Sequence, residues 1–205
     1  MTRQLTGIRA DRKESYHSIE QKATALRGLI GLGPLDRFDA RYFFDHFIPE
    51  MTVECGNGNI ALCEAIEDCQ QEGLTRWNPD LGVLEFVLSE QTYELLQVDH
   101  VRARSTVAHE SGHVCLHTDQ IIRLGGMSLI SQVAFHRERN PHQACEDTEW
   151  QANAFGSSLL MPADGVFALS SRPGGLTAAA IAAAFGVSME SASYRIGTYE
   201  RSLGR

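Results

Sequence analysis

No CxxC pair occurs in the chain, and its five cysteines, Cys55, Cys63, Cys69, Cys115 and Cys145, are odd in number. Both facts count against a four-cysteine zinc site or a disulfide framework, so reduced thiols in a cytoplasm are the expectation. Long apolar runs are missing too. The longest candidate for a membrane span, Ala178 to Phe185, is far too short to cross a bilayer. The opening residues, MTRQLTGIRADRKESYH, lack an apolar h-region and a small-residue cleavage site, so no signal peptide is expected. Basic residues are scarce: 18 Lys and Arg against 26 Asp and Glu give a net charge of −8. That balance opposes non-specific binding to nucleic acid or to an anionic membrane. Internal repeats and low-complexity linkers are absent.

What remains is the make-up of a soluble globular protein, 43% hydrophobic and 21% charged over 205 residues, long enough to bury a core. Ile19, Ala23, Leu26 and Ile30 recur at helical spacing, and Gly31 and Gly33 end the run. A second short helix is expected from Pro34 towards Pro49. CGNGNIALCEAIEDCQQEG reads as a loop and one short helix. VLEFVLS and QTYELLQV, rich in Val, Leu, Phe and Tyr, read as two strands. Helices are expected over Ser105–Leu116, over MSLISQVAF, and from Cys145 to Leu160, where Met161-Pro162 marks the end. In the tail, two short helices flank Phe185-Gly186-Val187-Ser188, a spacing that resembles a helix-turn-helix. The division expected is a domain over 1–165 and a helical tail over 166–205.

The chemistry lies in TVAHESGHV. On a helix, residues four apart share a face, so His109 and His113 can present two imidazoles to one ion. Glu110, about 100° around the helix from His109, can approach a water there without being a ligand. A catalytic zinc site needs a third protein ligand and an open position. His117 does not fit that role, because eight residues separate it from His109, about 12 Å along the axis. It reads instead as a capping, packing or supporting histidine. In EDTEWQANAFGSSLLMP, Glu149 and Asn153 share a helix face. Glu149 can supply an oxygen ligand, and Asn153 can accept from an imidazole N–H and fix its tautomer. Glu146 competes for the ligand role, but its turn is not shared with Asn153 in the same way. Acidic residues in a first helical turn also suit the helix dipole without any metal.

These segments carry a family resemblance. RARSTVAHESGHVCLH and EWQANAFGSSLLMP, in this order and on these elements, resemble the ImmA/IrrE family of metallo-endopeptidases. The likeness implies an α+β, zincin-like core in which a small sheet packs on the HExxH helix. It implies His109, His113 and Glu149 as zinc ligands and Glu110 as the catalytic base. It also implies a protein substrate, a helix-turn-helix repressor whose cleavage derepresses stress-response or mobile-element genes. Manganese or iron suits the same ligands. Tyr194, His142 and Arg195 are candidates to steady the oxyanion, and sequence does not choose among them. Two other readings compete: a metal-stabilised antirepressor that binds without cutting, and a DNA-binding regulator acting through Leu176–Leu203. The tail's few arginines make direct DNA binding weak.

Overall fold

The computed structural model describes residues 7–56, 58–125 and 142–202. Helix α1 (Tyr16–Leu29) starts at Ser15, which exchanges side-chain and backbone hydrogen bonds with Ser18 in a capping box. A short α2 (Ala40–Tyr42), capped by Asp39, runs into a π-helical turn (Phe43–Phe47) and a 3-10 turn (Ile48–Glu50). The helix expected from Pro34 therefore begins only at Ala40. Four strands follow, β1 (Thr52–Cys55), β2 (Gly58–Glu67), β3 (Gly73–Asn78) and β4 (Val83–Ser89), in the sheet order β1-β2-β4-β3. β1 with β2 and β3 with β4 are antiparallel, and β2 with β4 is parallel, Leu62 opposite Leu84.

Two expectations are corrected here. The stretch read as loop and helix holds the last residue of β1, Cys55, and the whole of β2. Cys55 pairs with Gly58, which sits at φ 117°, a conformation that favours glycine, and closes a hairpin. The Ala and Glu residues of β2 favour helix, but pairing to a strand on each side outweighs that local preference. Conversely, QTYELLQV is helix α3 (Glu90–Gln97). Ser89 accepts from the Thr92 N–H at 3.1 Å, and Thr92 and Leu96, one turn apart, are buried. The cap, with the helix-favouring Glu and Leu residues, wins over the β-preference of Thr92 and Tyr93. The helix expected in MSLISQVAF lies outside the described residues.

Helix α4 (Val101–Arg123) is longer than expected, and α5 (Thr148–Leu160) follows a 3-10 turn (Ala144–Glu146). After these come α6 (Ala163–Ser170), α7 (Ala178–Phe185) and α8 (Met189–Ser202). α4 packs against β3 and β1 and, most extensively, against α5, and α1 backs α5. The architecture is α+β. One apolar cluster joins Ile19, Phe44, Phe86, Val107 and Phe155 to Ile181, Phe185 and Ala192 of the tail. Polar ties fasten that tail as well. Buried Arg104 donates to Asp99 and to the carbonyls of Phe185 and Gly186. Arg195 donates to Met161 O at 2.8 Å and to Glu20 at 2.6 Å. No helix among the described residues is long and apolar enough to cross a membrane.

The contact between α4 and α5 is closer than side chains permit. A Cβ on Gly112 would lie 2.8 Å from Ala152 Cα, and one on Gly156 would lie 3.1 Å from the backbone joining Ala108 to His109. Each helix thus lays a glycine on the other's backbone. Gly28, in α1, has open space where its Cβ would go. Gly112→Ala is expected to destabilise the protein by about 1–3 kcal/mol through overpacking. Gly28→Ala should be neutral or stabilising by up to about 1 kcal/mol. Urea unfolding of the two variants checks the contrast, and equal effects would contradict the close crossing.

Candidate metal centre and cleft

α4 begins behind His100, whose Nδ1 accepts from the Arg102 N–H at 3.3 Å. Its buried residues Ala103, Val107, Ala108 and Val114 fix its rotation against the core. That rotation turns His109 and His113, one turn apart, towards α5. At the start of α5, Asp147 accepts from the Trp150 N–H at 2.8 Å, which sets Glu149 in the first turn. The positive end of the helix dipole favours a carboxylate there.

These three side chains converge. Glu149 Oε2 is 3.2 Å from His109 Nε2, Glu149 Oε1 is 3.3 Å from His113 Nε2, and the two Nε2 atoms are 3.1 Å apart. One possible ligand atom from each residue lies within 4.8 Å of the others, an arrangement that no other His, Cys, Asp or Glu group shares among the described residues. Glu149 Oε1 is buried and accepts no hydrogen bond. Leaving such an oxygen unsatisfied costs about 1–3 kcal/mol. Two imidazole nitrogens and a carboxylate oxygen are a donor set that suits zinc with one position left open.

The neighbours of this cluster divide by task. Glu110 is buried, and the Thr75 hydroxyl of β3 donates to its Oε2 at 2.8 Å. Asn153 is exposed, donates to Glu149 O at 2.7 Å and helps to raise the pKa of the neighbouring His109. His117 lies behind His113, their Nδ1 atoms 3.1 Å apart, and its Nε2 is 2.9 Å from Gln151 Oε1. Glu146 is elsewhere, on the 3-10 turn, paired with Arg9 at 3.2 Å. Of the three oxyanion candidates, Arg195 is spent on Met161 and Glu20, and His142 lies 3.0 Å from Asp147. Tyr194 lines a cleft of about 440 Å³ together with Tyr16, Ser105, His109, Trp150 and Asn153. The Tyr16 and Tyr194 hydroxyls are 3.0 Å apart. Thr75 and Gln151 escaped the sequence reading. Thr75 sits on a strand that was not foreseen, whereas a glutamine two positions after Glu149 in a mostly apolar helix was a usable signal.

The electrostatics follow from this packing. Burial pushes the Glu149 carboxyl up, but the adjoining His109 and His113 outweigh it and hold the group well below the usual carboxylate range. Burial lowers His109, yet Glu149, Glu110 and Asn153 together raise it above its ordinary 6.5. Burial and the neighbouring His113 lower His117 to about 3, so its imidazole is neutral. In the metal-free protein, the raised His109 contributes stability that is fully present below 6.5 and lost as pH rises through its folded value. The depressed Glu149 contributes above 4.5 and loses that contribution only as pH falls through its folded value. The melting temperature of metal-free wild type minus that of Glu149→Gln should therefore be largest near about pH 5.5 and shrink by about 2–4 °C by about pH 8.5. A difference independent of pH would contradict the His109–Glu149 pairing.

Comparison with known proteins adds three findings. The family model described as Peptidase_M78, IrrE N-terminal-like domain, matches residues 97–197. No curated protein matches the chain. Among solved structures, a Mycobacterium tuberculosis transcriptional regulator aligns at 16% identity and a TM-score of 0.44, over 87% of this chain and 55% of its own. The chain thus spans little more than half the length of that structure. The matched segment holds α4 and α5 entire, with His109, Glu110, His113 and Glu149, and by that match residues 97–197 belong to the M78 peptidase family, that of the IrrE N-terminal-like domain.

Proposed function

We propose that the chain is a zinc-dependent endopeptidase whose ion is held by His109, His113 and Glu149, with Glu110 as general base. The observation that carries this reading is the buried Glu149 Oε1, which lacks a hydrogen bond and faces an imidazole nitrogen 3.3 Å away. A cation between them satisfies both. When bound, zinc supplies Lewis acidity that polarises a scissile carbonyl and lets water lose a proton near neutral pH; manganese suits the same donors.

The chain's own residues do the rest. Thr75 holds one oxygen of Glu110 and so fixes the carboxylate, leaving the other to take a proton from the attacking water and return it to the leaving amine. General acid–base work of this kind contributes roughly 10²- to 10⁴-fold. His109 borders the cleft, so a substrate entering between α4, α5 and α8 meets the cluster from that side. α4, backed by the sheet and crossed by α5, fits a zincin-like core. The family resemblance points to a helix-turn-helix repressor as substrate, with derepression of stress-response or mobile-element genes as the outcome.

Elemental analysis of protein purified without added metal tests the ligand set. About one zinc per chain is expected in wild type and markedly less in Glu149→Ala; wild type that takes up no zinc even when it is supplied would overturn the reading. Glu110→Gln should keep its metal and lose cleavage of a repressor substrate by about 10²-fold or more. Cleavage at the wild-type rate in that variant would remove Glu110 from the mechanism.

A further inference from the structure

One hydrogen-bond chain behind the cluster has a direction that can be worked out. Gln151 Nε2 donates to two backbone carbonyls, Arg12 O and Cys145 O, each at 2.8 Å. An amide nitrogen has two hydrogens, so both are used, and the amide cannot be flipped without setting its oxygen against two carbonyls. Gln151 Oε1 is therefore an acceptor, and His117 Nε2, 2.9 Å away, carries the hydrogen that it accepts. His117 is 2% exposed, and its hydrogen-bond partners are Gln151 and His113, with no carboxylate among them to support a second proton. Its Nδ1 thus presents a lone pair. His113 Nδ1, 3.1 Å from that atom, must carry the hydrogen between them.

From this we infer that Gln151 and His117 are positioning residues that fix the proton of His113 on Nδ1 and so reserve His113 Nε2 for an electrophile beside Glu149. The order of donation starts outside the helices. Arg12 belongs to a segment that crosses the ends of α4 and α5: Ala10 N–H donates to Glu146 O at 2.7 Å, Asp11 N–H to Gln120 Oε1 at 3.0 Å, and Thr148 N–H to Ile8 O at 3.1 Å. That strap holds the carbonyl which sets Gln151, which sets His117, which sets His113. A histidine with the opposite tautomer would aim an N–H at the ion. The consequence for metal affinity rests on the proposed metal site; the proton assignment does not.

The first test is the pair of ¹⁵N imidazole shifts of His113 and His117 in metal-free protein at about pH 8, where solvated imidazoles are neutral. The expected result is an Nε2–H tautomer for His117 and a protonated Nδ1 for His113; an Nε2–H, Nδ1-bare His113 would overturn the inference. The second test is zinc affinity by competition with a chelating dye. His117→Leu removes the acceptor and should weaken zinc by about 10- to 100-fold. His117→Gln, whose amide oxygen can accept from His113 and whose nitrogen can donate to Gln151, should recover most of it. A His117→Leu protein that binds zinc as tightly as wild type would also overturn the inference. A wild type without zinc would instead defeat the metal reading, and the nitrogen shifts would still decide the proton assignment.

Discussion

The close crossing of α4 and α5 is the constraint from which the site follows. Gly112 and Gly156 let two helix backbones meet where any side chain would hold them apart. Gly156 rests on the peptide between Ala108 and His109, so the crossing is anchored one residue from a proposed ligand. Because Glu149 sits two turns before Gly156 on the same helix, its carboxylate is delivered to the two imidazoles by helix geometry. Interiors pack as densely as organic crystals, and a contact of this kind has little room to adjust.

That crossing also creates an electrostatic problem. It gathers two nitrogens and a carboxylate in a largely buried volume, and it leaves Glu149 Oε1 without a donor. The surrounding polar groups do not relieve the deficit; they orient it. Thr75 occupies Glu110, Asn153 engages His109, and His117 engages the far nitrogen of His113. The free valences are thereby pushed towards one point. Among the described residues, Glu149 Oε1 is the buried side-chain atom that this network leaves unsatisfied, a deficit that the proposed cation would meet.

How much of this could be read from the amino acids depended on whether a period or a pairing determined it. His109, His113 and Glu110 were legible because four-residue spacing on a helix needs no knowledge of the rest of the fold. Glu149 and Asn153 were legible for the same reason, once a second helix was recognised. The sheet was harder. β2 is rich in Ala and Glu, and its strand character arises from partners on both sides that lie outside any local window. β3 went unassigned, and with it Thr75, whose role exists only across 35 residues of sequence separation. α3 differs in the other direction: Ser89 is a readable cap and its Glu and Leu residues favour helix, whereas Thr92, Tyr93 and the apolar content of the segment mimic a strand. His117 could be excluded as a ligand by distance, yet its link to Gln151 belongs to tertiary packing.

The strap of residues 7–14 carries a consequence in time. Its hydrogen bonds reach 109 to 140 residues along the chain, to Gln120 at one extreme and Asp147 and Thr148 at the other. A ribosome releases this segment long before α5 exists, so the strap waits for partners made more than a hundred residues later. Closing loops of that length costs entropy that only the finished helices can offset. The histidine cluster therefore cannot be complete until α5 has been made, and a chain that stops short of it carries the HExxH residues without Glu149 and the framework around them.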